Sequence, residues 1–462
     1  MTEGLQEGEL SRDCSGYAPV VDWGTLRMLL AMSVEHKLYT THVDFCNAFV
    51  QAPLDRPMFM QLPQGVRDSV AYIGKILQLN RSLYGHRFAA KLFYELLASR
   101  LGSIGFAASK HDHCLFLRSD CVIVTWVDDA IIISRDPLAA DVVIEEIRGT
   151  GFALNKEEAD GGLAAYLGIR IDRREDGSMH MTQEGLINSI IEALDLPGAN
   201  AKYTPAIDAL GRCKEAAPLQ ASYNYRSVVG MLMYLCNSTR PDIAFAVHQC
   251  ARFSHDPRAP HGVALKRIGT YLLSTRDKGL IMKPGDDTLQ PTLDCYVDAD
   301  FAGLFGREDP NDPSCARSRT GFVITLGGNP VVWASKLQTE VALSTQMSEY
   351  IALSSAMRSL VHLRRVHIEL AGTLKLPFDS SKNISTVHED NQACISLANS
   401  DPPRLTPQSR TMAVKYHWFR EQLSPATIVV AKIDTVLNRS NILTKALARE
   451  PFERERMMLV GW

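Results

Sequence analysis

Hydrophobic and polar positions along the chain repeat with two periods, one typical of strands and the other of helices. Residues 121–133 read CVIVTWVDDAIII, a pattern that predicts a hairpin with Asp128 and Asp129 at its tip. Residues 25–36 and 91–105 carry apolar positions at helical spacing, and the second segment ends at a glycine. The first part of the chain is therefore predicted to mix strands with helices.

The later part of the chain shows a run of helical segments followed by alternating strands and helices. Helical spacing appears in three successive segments, at 225–238, 240–254 and 261–275. Strand patterns appear at 292–300, at 321–335 around a GGN turn, and at 385–391. Between the two parts, residues 195–218 are rich in proline, glycine and alanine and are typical of a connector.

A long helix is predicted from Ser348 to about Leu370. Its apolar residues recur at steps of three and four, namely Leu353, Ala356, Leu360 and Leu363. Gly372 comes after them, and since glycine commonly occupies the position just past a helix end, it is the predicted stop.

Composition places the chain among soluble globular proteins of about three domains. It has 462 residues, of which 46% are hydrophobic and 22% charged. No apolar run reaches the roughly 18–20 residues that a membrane span needs, and the opening segment has no signal-peptide core. Ten cysteines without CxxC pairs argue against a zinc module or a disulfide framework. We therefore expect reduced thiols and an intracellular, cytoplasmic location, with nuclear access possible and no membrane partner.

The net charge of −3 gives no support for a nucleic-acid binder. The positions of the acidic residues are therefore the next evidence on function. Asp44 comes after a β-branched run and lies 84 residues before Asp128. Two strand-end carboxylates from distant segments are what a pair of divalent ions about 3.5–4 Å apart requires. A simple turn and a metal site remain alternatives for the Asp128–Asp129 pair on this pattern alone.

Several motifs resemble, in order, the reverse transcriptase of copia-type LTR retrotransposons. They are YAPVVDWGTLRMLL, VDFCNAFVQAPLDRPMFMQLPQG, RSLYGHRFAAKLFY, HDHCLF, WVDDAII, YLGIRI, YRSVVGMLMYL and TRPDIAFAV. The ordered set favours the metal site over the plain turn. The resemblance implies that Asp44 and Asp128 bind the catalytic Mg²⁺ or Mn²⁺ ions and that Asp129 completes the palm hairpin. It also implies that Phe49 lies under the nucleotide sugar, although an ordinary core aromatic is the alternative there.

The chain departs from this family at two places. Where the family usually has LYGLKQAP, this chain has LYGHRFAA, so Phe88 replaces a glutamine expected beside the template and incoming base. Arg87 and Lys91 remain as expected phosphate contacts, or else as exposed helix charges. The family's basic fingers hairpin is expected before Tyr17, but only sixteen residues precede it here. Fewer cations at the leaving pyrophosphate would weaken catalysis, so we expect a truncated copy.

Residues after about 291 resemble the ribonuclease H domain that comes after the polymerase in the same family. The matching motifs are YVDADFAG, SRTGFVITLGGNPVVWASK, VALSTQMSEYIALS, HEDNQACISLA and SNILTKAL. The resemblance assigns Asp298, Glu349 and Asp390 to three of the acidic positions around the metals. Glu349 alone is also explained by a favourable interaction with a helix N-terminus.

The fourth acidic position is altered. The family's ADILTK is SNILTK here, so Asn441 replaces the expected carboxylate. Asparagine caps a helix about as well as aspartate, so the fold should persist, but a neutral amide is a poorer Mg²⁺ ligand. The family's SRTKHI is SRTMAV here, without its Lys-His pair. We expect a folded nuclease domain with weak or no activity.

The sequence thus predicts an α+β fold in three parts. These are reverse transcriptase fingers and palm on an antiparallel sheet (1–195), a helical thumb or connection (196–290), and an α/β ribonuclease H-like domain (291–462). The leading expectation is RNA-directed DNA synthesis from dNTPs, with an RNA template, a DNA primer and RNA–DNA hybrid as partners. One alternative is a catalytically silent remnant that only binds hybrid. Another is a nuclease without polymerase activity, and Asn441 argues against this second alternative.

Overall fold

A computed structural model describes residues 16–67, 70–72, 74–157, 162–196, 198–286, 290–306, 312, 314–400 and 414–462. The acidic opening segment before residue 16 and residues 409–413 of the SRTMAV motif lie outside this description, so the expectations placed on them stay as predictions. None of the described helices is long and apolar enough to cross a membrane.

The described chain contains seventeen strands and eleven α-helices, numbered here in chain order. The strands are β1 Tyr39–Phe45, β2 Pro53–Gln61, β3 Ile76–Arg81, β4 Ala107–Ala108, β5 Leu115–Arg118, β6 Cys121–Trp126, β7 Asp129–Ser134, β8 Leu154–Glu157, β9 Gly162–Tyr166, β10 Ile169–Arg173, β11 Met179–Thr182, β12 Leu280–Met282, β13 Leu293–Asp300, β14 Arg319–Leu326, β15 Asn329–Leu337, β16 Ser385–Glu389 and β17 Ile428–Lys432. The helices are α1 Trp23–Glu35, α2 Ala48–Gln51, α3 Ala89–Ser103, α4 Ala139–Gly149, α5 Glu184–Ala193, α6 Tyr225–Ser238, α7 Ala244–Ala251, α8 Ala259–Leu273, α9 Thr345–Thr373, α10 Gln392–Ala398 and α11 Arg449–Val460. The α+β class expected from the sequence is confirmed.

The described residues divide into two compact units, one within 16–22, 38–157 and 369–376 and the other within 23–37, 162–368 and 377–462. The boundaries predicted at 195 and 290 separate functional regions rather than compact units, and they remain a prediction.

The first unit is built on a six-stranded sheet in the order β4-β5-β6-β7-β1-β8, and every pairing in it is antiparallel. The predicted hairpin is present as β6 and β7, joined at Val127 and Asp128. Helices α3 and α4 contribute apolar side chains to the core under this sheet, among them Phe93 and Ile144. Burying an aromatic or aliphatic side chain of this size contributes about 1.5–3 kcal/mol to stability. This packing holds in place the sheet on which the acidic residues lie.

The second unit contains two sheets. Strands β12-β11-β10-β9 form a four-stranded sheet, in which β10 and β11 form a hairpin. The other sheet has the order β15-β14-β13-β16-β17, with β13, β14 and β15 antiparallel and β13, β16 and β17 parallel. Three antiparallel strands followed by two parallel ones form a ribonuclease H-like sheet, as the sequence predicts for this region.

The end of α9 differs from the prediction. Gly372 does not stop the helix, which continues to Thr373. The left-handed residue is instead Lys375, at φ 49°, and the backbone N–H of Leu376 donates to the carbonyl of Ala371 at 3.0 Å. This six-to-one bond is that of a Schellman ending, so Lys375 occupies the position that the sequence assigned to glycine.

Candidate metal centres

The first acidic cluster lies where β1 passes the β6–β7 hairpin. Asp44 is directly opposite Asp129 in the β1–β7 pairing, and the backbone N–H of Phe45 donates to the carbonyl of Asp128 at 2.8 Å. The antiparallel register therefore brings Asp44 next to both members of the aspartate pair, although 84 residues separate Asp44 from Asp128 in sequence. The predicted turn is present in the β6–β7 hairpin, and Asp44 of β1 lies beside its two aspartates.

The turn itself is strained. Val127 has φ 57°, a left-handed conformation that is an outlier for a β-branched residue. Such strain persists only where the surrounding structure fixes the backbone, and it concentrates at functional sites. The hydrophobic pattern gave no sign of it, because Val127 looks like one more strand residue.

Electrostatics also link the three carboxylates. The pKa of Asp44 is raised above its usual value by burial first, and then by the negative charges of Asp129, Asp128 and Glu157. Mutual repulsion of this kind is what a bound cation relieves. His42 acts in the opposite direction and lowers the pKa of Asp44. Its Nε2 lies 3.0 Å from Asp129 Oδ1. Carboxylate oxygens favour divalent ions, but in the described part of the chain it is the second cluster, described below, whose three carboxylate oxygens lie within 4.8 Å of one another.

An aromatic pair lies beside this cluster. The ring of Phe49 is 4.7 Å from that of Tyr84 and 6.3 Å from that of Phe93, and Phe49 is half-buried. The pKa of the Tyr84 phenol is raised by burial and then by the charges of Asp128 and Asp44. Tyr84 is therefore part of the site's surroundings, which the sequence analysis did not predict. One side of Phe49 packs on the core, which agrees with a core aromatic, and its contact with the nucleotide sugar stays a prediction.

The predicted phosphate contacts lie around the start of α3. Arg87 is exposed, and its guanidinium carbon is 5.5 Å from the centre of the Phe88 ring. Phe88 itself is buried, with 8% of its surface exposed. Lys91 pairs with Glu95 one turn later at 3.8 Å, a surface pair worth little in stability. The roles assigned to Arg87, Phe88 and Lys91 remain predictions.

The second acidic cluster lies in the ribonuclease H-like sheet. Asp298 is on β13, Glu349 is in the first turns of α9, and Asp390 comes directly after β16. One carboxylate oxygen from each of these residues lies within 4.8 Å of the other two. The structure thus brings together the three acidic residues that the sequence assigned to this centre.

The carboxylates of this cluster are buried and need a compensating proton or cation. Glu349 is 4% exposed, and its Oε2 has no hydrogen-bond partner among the described residues. Burial and then the charges of Glu389, Asp298 and Asp390 raise the pKa of Glu349 to about 10. An unpaired buried carboxylate oxygen is costly unless a proton or a cation compensates it. The residues present therefore fit a divalent ion, and Glu389 is a neighbouring acid that the sequence analysis missed.

Asn441 is held by hydrogen bonds from its amide nitrogen. It begins a 3-10 turn at Asn441–Leu443 rather than capping a helix, which corrects the expectation that it acts as a cap. Its Nδ2 donates to the carbonyls of Thr435 at 2.8 Å and Asn438 at 2.9 Å. Its Oδ1 is buried with no hydrogen-bond partner in the described chain. The amide nitrogen is therefore committed to its own turn, whereas the oxygen is not.

Two further side chains reach Asp298, and the sequence singled out neither. Thr444 donates its hydroxyl to Asp298 Oδ2, and Lys445 Nζ lies 3.6 Å from the same oxygen. Both belong to the ILTK part of the motif that contains Asn441. The motif therefore contributes a hydroxyl and an ammonium group to the centre.

Comparison with known proteins agrees with this geometry. The family described as "Reverse transcriptase (RNA-dependent DNA polymerase)" matches residues 7–208. The retrovirus-related Pol polyprotein from transposon TNT 1-94 of Nicotiana tabacum is 29% identical over 453 residues, which are 95% of this chain and 32% of that protein. Over nearly its whole length the chain is therefore similar to retrovirus-related Pol polyproteins of transposons. The match to the reverse transcriptase family lies in its first part.

A second Pol polyprotein, from transposon RE1 of Arabidopsis thaliana, is 29% identical over 444 residues, covering 95% of this chain and 28% of that protein. The chain spans about a third of the length of these curated relatives. Among solved structures, RNase H1 from the halophilic archaeon Halobacterium salinarum matches 33% of this chain and 94% of its own, at 15% identity and a TM-score of 0.21.

Proposed function

We propose that this chain carries out RNA-directed DNA synthesis, using dNTPs on a primed template, at the cluster of Asp44 and Asp128. The observation that supports this most is the register of β1 against β7, which places Asp44 beside the Asp128–Asp129 hairpin. The proposed partners are an RNA template, a DNA primer and dNTPs, and the proposed location is intracellular.

Asp44 and Asp128 would hold the divalent ions, Mg²⁺ or Mn²⁺, which activate the attacking oxygen and stabilise the leaving one in phosphoryl transfer when bound. Asp129 holds the hairpin in place through His42. Phe49 would lie against the nucleotide sugar, where a rigid ring rejects a 2′-hydroxyl. Each of these roles requires only that the side chains stay on the rigid sheet that carries them.

A primer-extension assay tests the polymerase proposal. The purified chain is given an RNA template, a labelled DNA primer, dNTPs and Mg²⁺ or Mn²⁺, and an Asp128→Asn variant runs beside it. We expect extension by the unaltered chain and a loss of at least about a hundredfold in the variant, as for removal of a group that stabilises transition-state charge. Equal extension by both proteins would identify a contaminant and contradict the proposal.

We also propose that the ribonuclease H-like centre cleaves RNA in RNA–DNA hybrid weakly or not at all. Asp298, Glu349 and Asp390 would hold a divalent ion, but Asn441 supplies no charge, and its amide is bonded to the carbonyls of its own turn. Mg²⁺-dependent cleavage of a labelled hybrid tests this proposal. A rate equal to that of an intact relative would contradict it.

The second candidate function is binding of RNA–DNA hybrid without catalysis, and the altered Asn441 and Phe88 positions favour it. The same two assays, combined with a gel-shift measurement on hybrid, separate the candidates. Hybrid binding without extension or cleavage would establish the silent form and replace the polymerase proposal.

A further inference from the structure

A buried acid on helix α11 belongs to neither acidic cluster. Glu455 is 2% exposed, and its Oε2 has no hydrogen-bond partner in the described part of the chain. Its Oε1 lies 3.8 Å from Nη2 of Arg454, whose side chain is exposed to solvent and is therefore a weak ionic partner. A buried carboxylate oxygen without a partner is costly, so Glu455 requires a neighbouring cation or a proton.

The fold places Glu455 next to the ion pair of Lys445 and Asp298. Helix α11 packs against the turn at Asn441–Leu443, and Lys445 comes two residues after that turn. Burial raises the pKa of Glu455 to about 7, while the charges of Lys445 and then Arg454 lower it and that of Asp298 raises it. Glu455 is therefore a neighbour of this ion pair, although it lies outside the SNILTKAL motif.

Lys445 thus has two buried acids as neighbours. Its Nζ lies 3.6 Å from Oδ2 of Asp298. An ammonium group has three donors on a flexible four-carbon stem, and 42% of this side chain is exposed, so it can change partner without repacking the core. A divalent ion at Asp298 would repel the ammonium group. Oε2 of Glu455 is a buried acceptor that still lacks a donor.

We propose that Lys445 exchanges between two carboxylates, pairing with Asp298 while the ribonuclease H-like centre holds no divalent ion and with Oε2 of Glu455 when an ion binds. The proposal rests on the metal site assigned under the proposed function and adds a residue that acts on it from outside the cluster. Glu455 is a positioning residue, because it accepts the displaced ammonium group and does not itself hold the ion. It supplies no ligand at the position of Asn441, so the proposal of weak cleavage is unchanged.

The affinity for Mn²⁺, measured by electron paramagnetic resonance at about pH 8, above the pKa of Glu455, tests this exchange. The full chain carries Asp44→Asn and Asp128→Asn, so that the first acidic cluster contributes no ion, and circular dichroism checks that each variant is folded. On this background we compare Glu455→Gln, Lys445→Gln and the two combined. Asp390→Asn on the same background identifies the Mn²⁺ that belongs to the ribonuclease H-like centre, because that ion is the one lost.

We expect Glu455→Gln to weaken binding of this ion about tenfold, the size of the coupling within one network of charged groups, because the displaced ammonium group then has no buried carboxylate to accept it. Lys445→Gln should tighten binding about fivefold, since no ammonium group competes at Asp298. Adding Glu455→Gln to Lys445→Gln should change the affinity less than about twofold. Glu453→Gln is the matched control, because Glu453 lies on the same helix but pairs with Arg449 at 2.9 Å, and it should leave the affinity unchanged.

The double variant separates the exchange from its alternatives. An equal loss from Glu455→Gln with and without Lys445 would show that Glu455 acts on the ion directly, and an equal loss from Glu453→Gln would show a general charge effect; either result would overturn the exchange. Unchanged or weaker binding in Lys445→Gln would overturn it as well, even if Glu455→Gln failed to fold. If no ion on the background depended on Asp390, the metal site of the proposed function would fall together with the exchange.

Discussion

His42 Nε2 lies 3.0 Å from Oδ1 of Asp129, so the second aspartate of the hairpin is bound to a residue of the neighbouring strand β1. His42 is 4% exposed, and its position on β1 is opposite Ile131 rather than Asp129 in the register. The contact is therefore diagonal across the strand pair, which is within reach of long side chains. It gives Asp129 a partner on β1, whereas Asp128 lies in the turn between β6 and β7.

The two aspartates should respond differently to neutralisation. Asp129→Asn retains a side chain of the same shape that can accept a hydrogen bond from His42, so we expect less than about a tenfold loss of primer extension. Asp128→Asn should lose at least about a hundredfold, the magnitude seen when a charge-stabilising group is removed. Steady-state extension rates of both variants, measured side by side, check this. Equal losses would show that Asp129 is itself a ligand.

Phe49 should control the choice of sugar. Replacing it with alanine removes the ring that faces Tyr84 and leaves space for a 2′-hydroxyl, so the preference for dNTPs over rNTPs should fall about tenfold or more, since a steric contact of this kind contributes about 1–3 kcal/mol. Single-nucleotide incorporation with each substrate measures the ratio. Phe59→Ala, at an exposed phenylalanine on β2, is the control, and an unchanged ratio in Phe49→Ala would identify Phe49 as a core residue only.

Restoring the family's aspartate should harm the protein. Asn441→Asp removes two hydrogen-bond donors from the carbonyls of Thr435 and Asn438 and buries a charge beside them. We expect a loss of about 2–4 kcal/mol in the free energy of unfolding, measured by urea denaturation, with no gain in hybrid cleavage. Asn200→Asp, at an exposed asparagine, should be neutral. Restored cleavage in a stable Asn441→Asp protein would contradict this account of the turn.

Stability should decrease in mild acid because of buried histidines. Burial, together with His36 and Arg364, lowers the pKa of His367 to about 4, against about 6.5 in an unfolded chain. Between pH 6.5 and 4, His367 binds a proton in the unfolded state but stays neutral in the folded state. The free energy of unfolding therefore falls as pH falls across this window, by at most about 1.4 kcal/mol per pH unit for each such histidine.

His367→Gln should flatten that dependence in urea denaturation series between pH 4 and 6.5. His248, whose pKa is also lowered to about 4, by burial and by Arg319, should retain its share. So should His180, His261, His388 and His417, whose pKa burial also lowers, and only the share of His367 should be lost from the slope. His255→Gln, at an exposed histidine, controls for loss of an imidazole. The same slope in His367→Gln and the unaltered chain would show that His367 is protonated in the fold.

Elements whose apolar positions repeat regularly could be predicted from the sequence, whereas features set by local backbone geometry could not. The β6–β7 hairpin, the β10–β11 hairpin and the buried stripe of α9 were predictable because apolar spacing dictates which face is buried. The Schellman ending at Lys375 was not, because a left-handed lysine has no sequence signature while Gly372 has a strong one.

The candidate sites show the same division. Motif order sufficed to select Asp44, Asp298, Glu349 and Asp390, and the sheets bring each set together. The roles of Lys445 and Thr444 at Asp298, and the inward-turned amide of Asn441, depend on side-chain directions in one short turn. Spacing alone does not encode those directions.

Asp44, together with the hairpin aspartate that it faces, is proposed to support DNA synthesis on RNA. The rate of the first dNTP addition to a primer on an RNA template, with saturating Mg²⁺ or Mn²⁺, can be compared between the unaltered chain and Asp44→Asn. We expect metal-dependent addition by the unaltered chain and a rate at least about a hundredfold lower in the variant. Addition at the same rate by Asp44→Asn, or no addition by a folded, hybrid-binding unaltered chain, would contradict it.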